Sequence, residues 1–178
     1  MSDTEDQSIP TGDVPGANPD DQAAAGNEQQ APLTIVHQYV KDLSFENPST
    51  PKLQVAPGVQ PSVDVKVDVT ATALDEKVFE VALHTTFKTT ANEHVIYLGE
   101  LVYACVAHLG NVRQQDMEPL LLVEVPRLLF PYSRAIISNA TRDGGFQPLI
   151  LTPFDFIGLY RKRLESRAAQ TSTETGNA

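Results

Sequence analysis

The order of predicted secondary structure along this 178-residue chain indicates an α+β fold. Segments with strand character come first, within residues 33–109, and segments with helical character follow, from residue 116 to residue 168. Strands grouped before helices are typical of an antiparallel sheet with helices packed on one face. We therefore expect a four-stranded antiparallel sheet, a crossover loop after strand 1, and two C-terminal helices on one face.

The first predicted strand, residues 33–47, alternates apolar and polar side chains with a period of two. Val36 and Val40 are exceptions, because they fall on the polar face. Residues 48–61 follow with four prolines, a connection too long for a hairpin that indicates a crossover between strands that are not neighbours. The alternation places these apolar side chains on one face: Leu33, Ile35, Tyr39, Leu43 and Phe45.

Three further strands are predicted from composition and alternation. Residues 63–69 alternate valine with aspartate or lysine, and residues 77–90 are rich in β-branched and aromatic side chains. Residues 95–109 form the fourth strand, which is apolar on both faces from Leu101 to Ala107. Such a strand is either central in a two-layer core or part of a subunit interface.

Two helical regions follow the strands. Asp116 is the expected N-cap of the first region, and Pro126 and Pro131 are expected to divide or kink it. The second piece, residues 131–143, ends at Gly144. The last helix is expected to begin at residues 152–155, where a threonine cap, a proline at the first position and an aspartate form a start signal.

The two ends of the chain lack the apolar residues that a folded core needs. Residues 1–32 contain seven acids and no lysine or arginine, and residues 169–178 are mostly small and polar. Segments of this composition cannot bury enough apolar surface to offset their ordering entropy. The sequence therefore predicts one folded domain at residues 33–168 between two disordered tails.

The composition disfavours several classes of partner and compartment. A formal net charge of −10 makes nucleic acid an improbable ligand. No apolar run approaches the ~18 residues that span a bilayer, so no membrane insertion is expected. The acidic N-terminus has no apolar segment of a signal peptide, and the single cysteine, Cys105, permits no internal disulfide. These features indicate a cytoplasmic protein.

Residues 144–156, GGFQPLILTPFDF, combine the glycines and prolines of a loop with the apolar content of a core strand. Loops normally run over the surface and are polar. An apolar loop either packs into the core of its own protein or offers an apolar surface to a partner. The pattern alone favours neither interpretation.

No nucleotide-binding or hydrolase motif is present, so neither an enzyme activity nor a cofactor is expected. His84 and His94 lie on neighbouring predicted strands, but their register would not place them opposite each other, so no metal site is expected. Asp42 and Glu46 share a strand face roughly 13 Å apart, which is too far for a catalytic carboxylate pair. They belong either to an ordinary solvated face or to an acidic docking surface.

Three segments resemble the SecB family of protein-export chaperones. They are VHQYVKDLSFENP at residues 36–48, LLFPYSR at residues 128–134 and GFQPLILTPFDF at residues 145–156. The similarity extends over about residues 33–165, which is nearly the whole predicted fold. The resemblance implies a homotetramer, a dimer of dimers with strands paired across subunits. It also implies a cytoplasmic holdase that works without ATP, keeps unfolded secretory precursors competent for translocation and delivers them to the SecA ATPase.

The resemblance also implies two binding sites. Its SecA-docking surface corresponds to Asp42, Glu46, Leu98 and Glu100 in this sequence. Its groove for unfolded peptide corresponds to Phe45, Val59, Leu149, Ile150, Leu151, Phe154 and Phe156. Well-studied members carry a tryptophan in the crossover loop, whereas this chain has none, so the aromatic subsite is expected to be weaker or differently shaped. The alternatives are a SecB-like chaperone dedicated to one client, such as an antitoxin, and a scaffold or enzyme that uses the same fold.

Overall fold

Four long strands are the first elements of the computed structural model, which describes residues 31–48, 60–92 and 94–175. Each strand is 14 to 16 residues long, and neighbouring strands run antiparallel. The strands are β1 (Leu33–Glu46), β2 (Ser62–Asp75), β3 (Val78–Ala91) and β4 (His94–Leu109). β2 is longer than predicted, because Thr70 and Thr72 continue its alternation with small alanines.

The sheet order is β1-β4-β3-β2, so β1 and β2 are the two edge strands. The chain between them must cross from one edge of the sheet to the other, which confirms the predicted crossover between strands that are not neighbours. β2, β3 and β4 follow one another as hairpins. Asn92 adopts a positive φ of 48° in the turn between β3 and β4, a conformation that asparagine tolerates better than most residues.

β1 is irregular, and this overturns one prediction for its faces. Its pairing with β4 shifts by one residue between Ile35 and His37 and again between Val40 and Asp42. Each shift is a β-bulge, which reverses the faces of the residues that follow it. Tyr39 therefore pairs with Ala104 on the face opposite to Leu33 and Phe45, and was wrongly grouped with them.

The helical elements follow β4. They are α1 (Gln114–Pro119), a π-helical segment (Leu120–Glu124), α2 (Val125–Asp143) and α3 (Phe156–Thr175). Arg113, and not Asp116, is the N-cap of α1. Asp116 instead forms a 2.6 Å ion pair with Arg113. The two prolines do not divide the helix, since Pro126 lies in the first turn of α2 and Pro131 lies inside it, and the expected kink stays a prediction. The irregularity is the π-helical segment, which realigns the backbone just before Pro126.

α3 begins later than predicted. The Asp155 carboxylate accepts a 2.9 Å bond from the backbone N–H of Gly158, and its carbonyl accepts one from Leu159 at 3.1 Å. Asp155 therefore caps the helix, and Thr152, which was the expected cap, lies in extended chain before it. α3 also runs to Thr175, past residue 168, where the sequence predicted the domain to end. The stretch Ala168–Gln170 contains no glycine or proline and favours helix.

The main core lies between the helices and one face of the sheet, called here the helix face, which confirms the predicted α+β architecture. Leu83 and Leu101 of the sheet and Leu129 and Ile137 of α2 are fully buried there. The opposite side is called the outer face, where Tyr39 covers a small buried cluster: Ala82, Val102 and Ala104. β4 is therefore apolar on both faces because it is central within a single chain.

Cys105 lies on β4 in the main core and is fully buried. Burial raises the pKa of its thiol to about 11. A thiol held in its neutral form is a poor nucleophile, so Cys105 is a structural residue of the core.

Two buried threonines allow a direct test of this core. The Thr85 hydroxyl on β3 is buried and has no hydrogen-bond partner among the described residues. The Thr141 hydroxyl on α2 instead donates to the Ile137 carbonyl at 3.0 Å and accepts the Leu149 N–H at 2.9 Å.

We expect Thr85→Val to raise the free energy of unfolding by about 1 kcal/mol, because a methyl group replaces an unpaired buried hydroxyl. We expect the isosteric Thr141→Val to lower it by about 1–3 kcal/mol, because it leaves a backbone N–H unpaired. Urea unfolding at one fixed protein concentration measures both changes. Shifts of the same sign in the two variants would contradict this account of the core.

Candidate functional site

The outer face of the sheet brings together all four residues of the predicted docking surface. Glu46 on β1 pairs in register with Leu98 on β4, and Asp42 pairs with Val102. Glu100 pairs with Ser44 on the same face. The three carboxylates are exposed, and no helix covers them. The structure therefore groups these four residues on one open surface.

A shallow cleft of about 330 Å³ crosses this surface. Its side chains combine three carboxylates with two lysines: Glu46, Asp64, Glu100, Lys66 and Lys88. Among the described residues, the ion pair within the cleft is a long 4.0 Å contact between Asp64 and Lys66, whose side chains are both largely exposed. Exposed charges of this kind contribute little to stability but are available to a charged partner.

Phe45 points to the helix face, on the other side of β1 from the docking acids. Its ring lies 6.4 Å from Phe87 and 5.8 Å from Tyr97, and Tyr97 in turn lies 4.8 Å from Phe146. These four rings form an aromatic cluster at the end of the sheet, under the start of the apolar loop. Phe45 is half-buried in this cluster. The ring therefore packs in the fold and leaves only part of its surface accessible to a client.

Two glycines make room for this cluster. A Cβ atom on Gly144 would lie 2.5 Å from the Phe45 ring, and one on Gly99 would lie 2.4 Å from the Phe87 ring. Both distances are far below a normal contact, so only glycine fits while the rings stay in place. Asn47 also donates to the Gly144 carbonyl at 3.2 Å. The end of β1 is thereby fixed against the end of α2.

The apolar loop is an ordered arm between α2 and α3. The Leu149 N–H is held by the Thr141 hydroxyl at 2.9 Å, and Arg134 donates to the Leu151 carbonyl at 3.5 Å. Successive side chains of the arm point in opposite directions. Ile150 is 70% exposed, whereas Leu151 is only 7% exposed. Both interpretations of the loop therefore hold, since one part packs on the core and another part faces solvent.

The predicted peptide-binding set divides in the same way. Phe154 is 37% exposed and meets Phe156 edge to face, and Phe156 is 2% exposed and packs on Phe130 of α2. Leu151 and Phe156 are core residues that support the arm, and their contact with a client stays a prediction. Val59 lies outside the described residues.

Two apolar residues of α3 join the exposed side of the arm and were missed in the sequence. Ile157 is 38% exposed and Leu164 is 41% exposed. Leu164 has the same helical spacing as the buried Phe156 and the half-buried Tyr160, but it faces outward. The seven-residue interval between Ile157 and Leu164 is the signal that would have grouped them.

The two histidines considered as metal ligands are far apart in register. His84 pairs with Val102, and its Nε2 atom lies 3.1 Å from the Thr70 hydroxyl, whereas His94 pairs with Ala91. In the described ranges, no group of three His, Cys, Asp or Glu side chains could hold a metal ion. No helix of the described chain is long and apolar enough to cross a membrane.

Comparisons with known proteins agree with the fold. The model of the family "Preprotein translocase subunit SecB" matches residues 26–167. The chain belongs to the SecB family. The protein-export protein SecB of Maricaulis maris is 48% identical over 89% of this chain and 91% of its own length. The SecB of Bradyrhizobium is 46% identical over 86% of this chain and 91% of its own length.

Among solved structures, a SecB-like chaperone of Mycobacterium tuberculosis shares the fold, with a TM-score of 0.58 and 14% identity. It covers 70% of this chain and 92% of its own length, and it was solved in complex with a peptide from an antitoxin. SecB is a family of protein-export chaperones and not of enzymes. The family assignment thus gives a protein-export role to a chain that carries an open acidic surface and an exposed apolar arm.

Proposed function

We propose that this SecB-family chain is a cytoplasmic holdase that works without ATP. It binds unfolded secretory precursors through the exposed side of the apolar arm and passes them to SecA through the acidic outer face. The observation that carries the proposal is the exposure of Ile150 and Phe154 on an arm that is otherwise anchored to the core. The arm keeps an apolar surface in water, which is what binding to an unfolded chain requires.

The client-binding surface consists of the arm and the outward side of α3. Its exposed apolar side chains are Ile150, Phe154, Ile157 and Leu164. Burial of ~400 Å² of apolar client surface would contribute about 10 kcal/mol at ~25 cal/mol per Å². Ordering of the client and loss of its translational freedom offset much of this gain. A single site should therefore bind weakly and release quickly, and should select slow-folding chains that expose apolar segments.

The outer face suits a folded partner with complementary charge. Asp42, Glu46 and Glu100 present carboxylates around the exposed edge of Leu98, so a basic partner would form ion pairs around a small apolar contact. Charges on an open surface mainly accelerate and orient association. Docking of SecA here is expected to weaken as salt screens these charges.

A dimer of dimers is supported by a second exposed apolar region at the β1 edge. Its members are Val36, Val40 and Leu43 of β1 and Leu128 and Tyr132 of α2, each 45–64% exposed. The Tyr132 ring stacks on Tyr103 at 6.1 Å, which joins the strand and helix parts into one surface. An edge strand also offers unpaired backbone groups to a second copy. Several client sites on one tetramer would raise avidity for a long chain without new contacts.

A chaperone dedicated to one client is the second candidate function. The antitoxin peptide bound by the mycobacterial chaperone supports it, but that protein is only 14% identical. The relatives that are 42–48% identical carry the protein-export name, which favours general export. A purified tetramer that binds several unrelated unfolded precursors would support general export, and one that binds a single partner would support the alternative.

We expect Ile150→Asp together with Phe154→Asp to weaken binding of an unfolded precursor by about tenfold or more, because two apolar contacts become charges. Isothermal titration with a chemically unfolded, slow-folding precursor measures the change. Leu74→Asp is the matched control, since Leu74 is 57% exposed at the far end of β2. Equal affinity in the double variant and the control would exclude the arm as the client site.

We expect Asp42→Lys together with Glu100→Lys to abolish measurable SecA docking, because two attractive charges become repulsive. The charge-matched control is Glu76→Lys with Glu165→Lys, two exposed acids away from the cleft. Surface-immobilised SecA at low and high salt provides the measurement. SecA binding that survives in the first variant would place the docking surface elsewhere.

We expect Tyr132→Asp to reduce the mass in solution below that of a tetramer, because a carboxylate would be buried without a partner at the proposed interface. Multi-angle light scattering at several protein concentrations measures the mass. Glu124→Gln serves as the control on α2, where Glu124 forms an exposed ion pair with Arg127. A Tyr132→Asp tetramer as stable as the parent would contradict this interface.

A further inference from the structure

The middle of β1 is held in an unusual register. Between the two bulges, the alternation of side chains over residues 37–40 is reversed relative to the rest of β1. The second bulge restores the original alternation from Asp42 onward. Loss of the second bulge alone would place Asp42 opposite Leu101, on the apolar helix face. The outward position of the docking acids therefore depends on this bulge.

A polar cluster on the outer face spans the bulge. Glu80 of β3 accepts a hydrogen bond from the Tyr39 hydroxyl and forms a 2.6 Å ion pair with Lys41. Tyr39 lies just before the bulge, and Lys41 is the residue that the bulge leaves without a partner on β4. Both side chains reach across β4, because Glu80 pairs with Val106 on its far side. We call these three residues the Glu80 clamp.

The environment of the clamp makes its contacts stronger than those of a free surface pair. The Glu80 side chain is only 17% exposed, although that of Lys41 is 49% exposed. The bond to Lys41, followed by that to Tyr39, lowers the pKa of the Glu80 carboxyl. The bond to Glu80 raises the pKa of the Tyr39 hydroxyl to about 12. The carboxylate and the phenol therefore keep their bonded protonation states throughout the neutral range.

We propose that the Glu80 clamp positions the SecA-docking acids by fixing the second bulge of β1. It is a positioning device on the outer face and does not itself contact SecA. The inference rests on the proposed docking of SecA at Asp42, Glu46 and Glu100. The clamp acts on the strand that carries Asp42 and Glu46, while Glu100 lies on the regular strand β4.

The test compares Glu80→Ala, which removes both bonds, with Lys41→Met, which removes only the ion pair. We expect each to weaken SecA binding about three- to tenfold, a range consistent with a partly exposed charged contact. Lys41→Arg should restore binding to within about twofold, because it keeps the donor and the charge. Asp116→Asn, which breaks the equally short Arg113 pair on α1, is the matched control and should leave binding unchanged.

Two readouts separate positioning from direct contact. The double variant Lys41→Met with Glu80→Ala should bind SecA no more weakly than Glu80→Ala alone, because both act through one contact. Amide hydrogen exchange of residues 37–44 should accelerate in both single variants, with unchanged tetramer mass and client affinity. If amide exchange in β1 is unchanged in Glu80→Ala, the proposal is overturned, regardless of the effect on SecA binding. Additive losses of SecA binding with unchanged exchange would mean that Lys41 touches SecA directly.

The exchange measurement also separates this inference from the proposed docking surface. If Asp42→Lys with Glu100→Lys leaves SecA binding intact, the docking surface is wrong, and the clamp is still judged by β1 exchange. If that double variant abolishes docking while the clamp variants leave both docking and exchange unchanged, only the clamp is wrong.

Discussion

The pleat of β4 is the constraint on which the rest of the structure depends. Consecutive residues of a strand face opposite sides, so one strand at the centre of the sheet must serve two surfaces. Leu101 and Cys105 of β4 lie in the core under α2, while Leu98 and Glu100 lie on the outer face. The acidic surface and the aromatic cluster are therefore alternate residues of the same strands, separated only by the thickness of the sheet.

This closeness explains why small residues occur where the two surfaces meet. Gly99 lies between Leu98 and Glu100, and its missing side chain admits the Phe87 ring on the helix face. Gly144 likewise admits Phe45, the neighbour of Glu46. The rings then support Phe146 at the start of the arm. The apolar arm and the acidic outer face thus both adjoin one set of packed rings.

The sequence predicts what alternation and composition encode, and it misses what tertiary contacts decide. A period of two predicts the strands and places Asp42 and Glu46 on one face, and the length and prolines of residues 48–61 predict the crossover. The family resemblance adds Leu98 and Glu100 to the same surface. The bulges in β1 are not visible in that pattern, although Val36 and Val40, the two exceptions to it, mark their positions. The start of α3 was misjudged because burial of Leu151 and Phe156 keeps Thr152 extended and leaves capping to Asp155.

The arm shows how a stable domain can keep an apolar surface in water. The cost of exposing Ile150 is local, because its neighbours on either side are tied to the core: Leu149 by a backbone bond to Thr141, and Leu151 by burial. Phe154 is held in the same way through its contact with buried Phe156. A segment anchored at alternate residues cannot collapse onto its own exposed side chains. Binding of the proposed client would therefore require little reorganisation of the arm.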